Sequence, residues 1–217
     1  MGQTENIYEE LPPDFYETSL SQSNPITQYY HRNRYGKIRK FIAGRYKKGM
    51  RMADFGCGSS SWNTGKLPVT GVDINRTMLE FGKRQGFISE GIVGDFTEQK
   101  LPLPDGSFDL IVISEVLEHI DNPEKAVNEA RRLLRDGGWL IVTVPLDTPL
   151  SPWSVLFGIG CFIRGDLLGN EYYKKRCGHV QHFSVDSISR LLESGGFAVA
   201  EKDVTLMNIG IAARKIA

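Results

Sequence analysis

The chain carries no surplus of charge. Its 217 residues hold 26 Lys and Arg against 26 Asp and Glu, a formal net charge of zero. Nucleic-acid binding rests on a basic face opposite the phosphates, and this balance supplies no such footprint, so no nucleic-acid partner is expected. Cysteine is scarce too. Cys57, Cys161 and Cys177 are odd in number and have no paired spacing. That excludes a disulfide scaffold and suits free thiols in a reducing compartment, which points to a cytoplasmic location. Long apolar runs are missing. The longest, SPWSVLFGIGCFI, is interrupted by glycines and falls short of the ~20 residues a membrane-crossing helix requires, so no stable membrane insertion is expected. The first residues, MGQTENIYEELPPDFYE, are polar and acidic and lack the apolar core of a signal peptide. Internal repeats and low-complexity tracts are absent as well, and nothing speaks to oligomeric state.

What is present is alternation. Residues 1–30 read as a loose, proline-containing lead-in that orders over a ligand, and 31–217 as one domain. ITQYYHRNRYGKIRKFIAGRY places Tyr30, Arg34, Ile38 and Ile42 at helical spacing. Strands follow at RMADF, PVTGVD, GIVGDF, FDLIVIS and WLIVTVP, separated by NRTMLEFGKRQ and NPEKAVNEARRLL, whose Asn75, Pro123 and Gly86 are helix boundary signals. From about 146 to 178 the alternation lapses into an aromatic, glycine-rich insertion. SVDSISRLLESGG is a capped helix, and FAVAEKDVTL and NIGIAARKI are two last strands able to pair as a hairpin. Continuous apolar strands linked by helices indicate an α/β protein: a Rossmann-like, doubly wound, mostly parallel seven-stranded sheet with an antiparallel last strand. Ligands of such sheets bind at the carboxyl ends of strands.

Four features gather at those ends. In ADFGCGSSSW, Gly56 and Gly58 bracket a turn that lets backbone approach a ligand, with the N–H groups of a short helix or turn over SSSWNTGK expected behind it. The third glycine of a dinucleotide fingerprint is absent, because Ser61 stands there. Asp73 ends the second strand and suits a ribose diol, which both NAD and S-adenosylmethionine carry. Asp54, just before the glycines, opposes a pyrophosphate and favours a ligand with an ammonium and a sulfonium. Asp95 can accept from an adenine amino group, and Phe96 can pack on its ring. A methyl donor therefore accounts for more of these residues than NAD does.

Together with LPLPDGSFDLIVISEVLEHIDNP and ARRLLRDGGWLIVTVP, these residues resemble the class I S-adenosylmethionine-dependent methyltransferases, in particular the small-molecule type (methyltransferase domain 11/23-like). The resemblance runs from about Arg34 to Leu146 and continues through GHVQHFSVDSISRLLESGGF. It implies S-adenosylmethionine as donor and S-adenosylhomocysteine as product. Asp54, Gly56, Cys57 and Gly58 would surround the methionine portion, Asp73 and Ile74 the ribose, and Asp95 and Phe96 the adenine. Ser114 and Glu115 would border the methyl. The sequence departs from many relatives at Ser60 or Ser61, where they carry glycine, and in the short segment between Gly58 and Val69.

Methyl transfer from a sulfonium is a direct in-line displacement that needs alignment more than a nucleophile, and a general base only where the acceptor must lose a proton. His119, one helical turn after Glu115, is the candidate base. Trp153, Phe157, Phe162, Tyr172 and Tyr173 of the insertion, with His179 and His182 behind it, are candidates for holding a small, aromatic or lipid-like acceptor. Cys177, His179 and His182 form C-x-H-x-x-H but lack a fourth ligand, so no metal is expected. A protein that binds the donor without turnover, and an NAD-linked oxidoreductase, are the competing expectations.

Overall fold

The computed structural model describes Tyr8, residues 11–148 and residues 151–216. Seven strands form one sheet: β1 (Met52–Phe55), β2 (Val69–Asp73), β3 (Glu90–Val93), β4 (Phe108–Ser114), β5 (Leu134–Pro145), β6 (Phe197–Val204) and β7 (Asn208–Lys215). Their order is β3-β2-β1-β4-β5-β7-β6. β7 alone runs opposite to the other six strands, pairing antiparallel with β5 and with β6. The expected sheet is therefore present. The hairpin signal at the end of the chain does not reveal that β7, not β6, enters beside β5.

Period-two alternation divides the core between the two faces of the sheet. On β4, Ile111 and Ile113 join one apolar cluster while Leu110 and Val112 join the other, and all four are fully buried. Against the first cluster lie α4 (Pro123–Leu133) and α7 (Val185–Ser194), through Ala126, Val127, Ala130, Leu133, Ile188 and Leu192. Against the second lies α2 (Pro25–Ala43), through Tyr35, Ile38, Phe41 and Ile42. Helix α2 comes so near β7 that a Cβ on Gly210 would stand 2.9 Å from Phe41 Cε2. Helix α3 (Arg76–Gln85) packs on β2 and β3, capped by the Asn75 side chain and closed by left-handed Gly86.

Three local details are sharper than the expectation. Part of the lead-in is a helix, α1 (Phe15–Gln22), which packs on α2. Its aromatic start, not a capping side chain, anchors it, for Asp14 makes no cap hydrogen bond to the helix backbone. No helix follows the glycine turn. Residues 58–65 are consecutive turns, and Trp62 among them is buried in the cluster that α2 covers. Strand β5 begins before the expected WLIVTVP and takes in Asp136-Gly137-Gly138, where Gly137 has φ 69° and the pairing with β4 shifts register. The insertion folds as α5 (Pro152–Cys161), a π-turn at Phe162–Leu167, α6 (Glu171–Lys174) and a 3-10 turn at Arg176–Gly178.

The strand order reverses between β1 and β4, and the carboxyl ends of β1 to β4 lie side by side at that reversal. The residues just beyond them are the candidates read from sequence.

Candidate functional site

A cleft at the reversal is lined by Gly56, Gly58, Asp73, Ile74, Asp95, Phe96, Glu115 and His119, eight of the sequence candidates. Tyr8, Leu11 and Tyr16 complete it from the lead-in, Met78 from the first turn of the helix after β2, and Thr97, Val116 and Ile120 from the segments that follow β3 and β4. Gly56 (φ 64°) and Gly58 (φ 51°) sit in the left-handed region that glycine adopts without strain. The Asp73 carboxylate fixes this turn, accepting from the Gly58 N–H at 2.7 Å and from the Asn75 N–H at 2.8 Å. Asp95 accepts from the backbone and hydroxyl of Thr97 through Oδ1. Phe96 is buried against Phe55, their ring centroids 5.0 Å apart.

Three of the cofactor candidates, Asp54, Cys57 and Ser114, do not line the cleft. Asp54 follows the parity of β1: it shares a face with Met52, where Trp62 closes over it, and not with Ala53 and Phe55. Its Oδ2 accepts from Ser60 Oγ and Trp62 Nε1, both at 2.7 Å. Burial pushes its carboxyl up to about 7, against the lowering effect of those two donors. Cys57 turns toward β2, where a Cβ on Gly71 would meet its Sγ at 2.9 Å, and burial holds the thiol far above its usual range. Ser114 shares a hydrogen bond with Thr143 at 2.8 Å.

The displacement of Asp54 has a measurable consequence. The folded protein binds its proton up to about pH 7, whereas an ordinary carboxyl ionises near 3.8. Stability from this group is thus complete below the lower value and is lost as pH rises through the higher one. Asp54→Asn, which cannot ionise, is expected to gain melting temperature relative to the parent between pH 5 and 8. A difference that stays flat across that range would contradict the placement.

A second cavity, about 810 Å³, opens between α1, α2 and the insertion. Trp153, Phe157, Tyr173 and His179 line it, as does Tyr30, whose ring stacks on Trp153 with centroids 4.2 Å apart. Phe162 is 55% exposed and takes no part. His182 is also outside, bonded through Nδ1 to Asp147 at 2.7 Å. The side chain of Tyr172 lies outside the described residues. Cleft and cavity meet at Tyr8, Tyr16, Glu115 and His119, which line both.

That junction is dense in buried polar groups. Glu115 has φ 55°, uncommon for a residue with a side chain, and its Oε2 accepts from the Tyr30 hydroxyl. Arg34 is buried beside it, its guanidinium 4.7 Å from the centre of the Tyr35 ring. Burial raises the Glu115 carboxyl even though Arg34 and Tyr30 lower it. Burial, with the Glu115 charge adding, lifts Glu118 well above its usual range. Burial also pushes His119 down to about 3 and His179 down to about 4, keeping both imidazoles neutral. Sequence reasoning passed over Tyr8, Tyr16, Tyr30, Arg34 and Glu118. Only Glu118 left a local trace, in the close sequence E-x-x-E-H of residues 115–119.

The chemistry of the donor set says what the cleft can hold. Its lining contains three carboxylates and, among the described residues, no lysine or arginine. A pyrophosphate would meet only like charge there, so the case against a dinucleotide passes from Asp54 to the lining as a whole. Asp73 and Asp95 offer acceptors to a diol and an amino group, while Ile74, Met78, Phe96 and Val116 offer an apolar slot to a purine. Glu115 Oε1, buried without a hydrogen-bond partner, suits a cationic end. A nucleoside with a positive tail fits these residues.

Comparison with known proteins agrees. The family model for the methyltransferase domain matches residues 27–202. A ubiquinone/menaquinone biosynthesis C-methyltransferase from Escherichia fergusonii is 30% identical over 148 residues, covering 62% of this chain and 57% of that protein. The chain thus spans little more than half the length of the curated relatives it matches. Among solved structures, magnesium protoporphyrin IX methyltransferase from Synechocystis PCC 6803 with bound S-adenosylhomocysteine superposes with TM-score 0.70 at 16% identity, covering 97% of each chain. A possible histamine N-methyltransferase from Thermotoga maritima gives TM-score 0.66 at 21% identity, covering 98% of this chain and 100% of that one. At such identities these two speak for the fold. Among the described residues, no helix is long and apolar enough to cross a membrane.

Proposed function

Because the chain belongs to the methyltransferase-domain family, of the class I S-adenosylmethionine-dependent type, we propose that it transfers the methyl group of its donor to a small, largely apolar acceptor by direct in-line displacement. The observation that carries this reading is the meeting of cleft and cavity at Tyr8, Tyr16, Glu115 and His119. Two reactants seated on either side of those four side chains face each other across them.

The donor, S-adenosylmethionine, supplies an electrophilic methyl on a sulfonium. The rest is the work of this chain. Asp73 and the Gly56–Gly58 turn would hold the ribose and methionine portions, with Asp95 and Phe96 at the base. Glu115, held by Tyr30, would face the cationic end. Phe15, Trp153, Leu156 and Phe157 would wall the acceptor and keep water out. Alignment of this kind can lower a barrier by roughly 7–11 kcal/mol. The neutral His119 imidazole lines both cleft and cavity, where it can accept a hydrogen bond from an acceptor hydroxyl; burial holds it too weakly basic to take the proton outright. In this reading the described part of 1–30 is a lid, 31–217 the catalytic domain and 146–178 its acceptor-side roof. The lid is tied down where Asn75 Nδ2 donates to the carbonyls of Tyr8 at 2.8 Å and Leu11 at 3.3 Å. The name of the Escherichia relatives, in quinone biosynthesis, supports an aromatic acceptor.

Incubation with methyl-labelled donor and a panel of hydroxylated aromatic acceptors tests the reading. Label should pass to at least one acceptor in proportion to enzyme. Saturable S-adenosylhomocysteine binding with no transfer across the panel would favour a protein that only binds the donor. Trp153→Ala removes two stacked neighbours, Tyr30 and Phe157. It is expected to raise KM for the acceptor by about tenfold, from stacking worth ~1–1.5 kcal/mol, and to leave the affinity for S-adenosylhomocysteine unchanged. An effect on the donor alone would contradict the assignment of the cavity.

A further inference from the structure

The fold brings Glu118 and His119, on the 3-10 turn after β4, against His179 from the end of the insertion. One ligand atom from each lies within 4.8 Å of the others. We infer that Glu118, His119 and His179 form a site for a divalent cation on the acceptor side of the transfer point. For the role of the ion this rests on the methyltransferase reading; for its binding it does not.

Three observations support the site. Glu118 is 1% exposed, yet neither of its carboxylate oxygens has a hydrogen-bond partner, and Glu115 Oε1 and His179 Nδ1 are likewise buried and unpartnered. Buried carboxylate oxygens left without donors are costly, and a cation among them removes the cost. All four residues line the same cavity. The site is also braced. The Glu118 carbonyl accepts from the N–H groups of Val180 at 2.8 Å and Gln181 at 3.0 Å, which fastens the His179 loop to the 3-10 turn. Phe157 stacks on the His179 ring with centroids 4.8 Å apart, and the Tyr8 hydroxyl, which donates to the Cys177 carbonyl at 2.7 Å, stands 3.0 Å from Nδ1 of His119. Outer contacts of this kind orient metal-binding imidazoles. Finally, the donor set is right. One carboxylate and two neutral imidazoles suit ions of the zinc, cobalt or manganese type. Three protein ligands leave positions open, as sites that bind substrate do.

The expectation of no metal rested on C-x-H-x-x-H. That motif does not assemble, because His182 turns to Asp147, and His179 finds its companions about sixty residues upstream instead. The open positions face the cavity, so the ligand class they select is an acceptor presenting two neighbouring oxygens, such as an ortho-dihydroxy aromatic.

The test uses the full chain, stripped with chelator and titrated with Co²⁺ by visible absorption and with Zn²⁺ by calorimetry. About one ion per chain is expected, with catechol shifting the Co²⁺ spectrum. His179→Ala and Glu118→Gln should each weaken Co²⁺ binding by about 100-fold or more, and His182→Ala should not. His179 is outside the cofactor cleft, so S-adenosylhomocysteine binding by His179→Ala shows that the variant is folded. The inference is overturned if the stripped protein binds no ion, or if His179→Ala binds Co²⁺ as the parent does. Tight Co²⁺ binding without any S-adenosylhomocysteine binding would instead sink the methyltransferase reading and leave the ion in place.

Discussion

Asp73→Ala is expected to weaken S-adenosylhomocysteine binding by about 100-fold or more, the largest loss of any single substitution in the cleft. The carboxylate has two tasks. It faces the ligand at the end of β2, and it fixes the glycine turn by accepting from the N–H groups of Gly58 and Asn75. Hydrogen bonds to a charged group contribute ~1.5–3 kcal/mol each, and about 1.4 kcal/mol is a factor of ten, so losing the ligand contact and loosening the turn together exceed two orders of magnitude. Asp73→Asn keeps one acceptor oxygen and should fall between parent and alanine. Calorimetric titration of the three proteins checks the order. An alanine variant within threefold of the parent would remove Asp73 from the binding site.

Gly56→Ala should cost nearly as much by a different route. Gly56 has φ 64°, and a Cβ there would stand 2.5 Å from Cγ2 of Val116, a wall of the cleft. The substituted residue must both bear the left-handed conformation and push Val116 aside. We expect S-adenosylhomocysteine affinity and methyl transfer to fall together, by about ten- to a hundredfold, since a cost of 1.4–2.8 kcal/mol has that effect. Gly65→Ala is the control. A Cβ there meets nothing within 4 Å and the backbone is not left-handed, so both quantities should hold. Equal behaviour of the two variants would mean that the turn does not cradle the ligand.

The strands and the acids at their tips were legible because each signal is local. A run such as FDLIVIS announces a strand covered on both faces, and the acid or glycine just after a strand marks its carboxyl end. Asp54 was misplaced for an equally local reason. It stands before the strand ends, so parity turns it under Trp62 while residues beyond the end are free to face the cleft. The groups that sequence missed come from afar. Tyr8 and Tyr16 reach the cleft only because the lead-in folds back over β2, and His179 meets His119 only because the loop after the insertion is fastened to the Glu118 carbonyl. No periodicity or spacing encodes such a return. The place of β7 beside β5 was hidden likewise, since a hairpin signal gives the pairing of two strands and not which of them joins the sheet.

A crystal structure of the full chain with S-adenosylhomocysteine tests the central claim most directly. The adenosine should lie between the Gly56–Gly58 turn, Asp73 and Asp95, with its sulfur turned toward Glu115, His119 and the cavity beyond them. A nucleoside seated elsewhere, or a sulfur closed off from that cavity, would contradict the account.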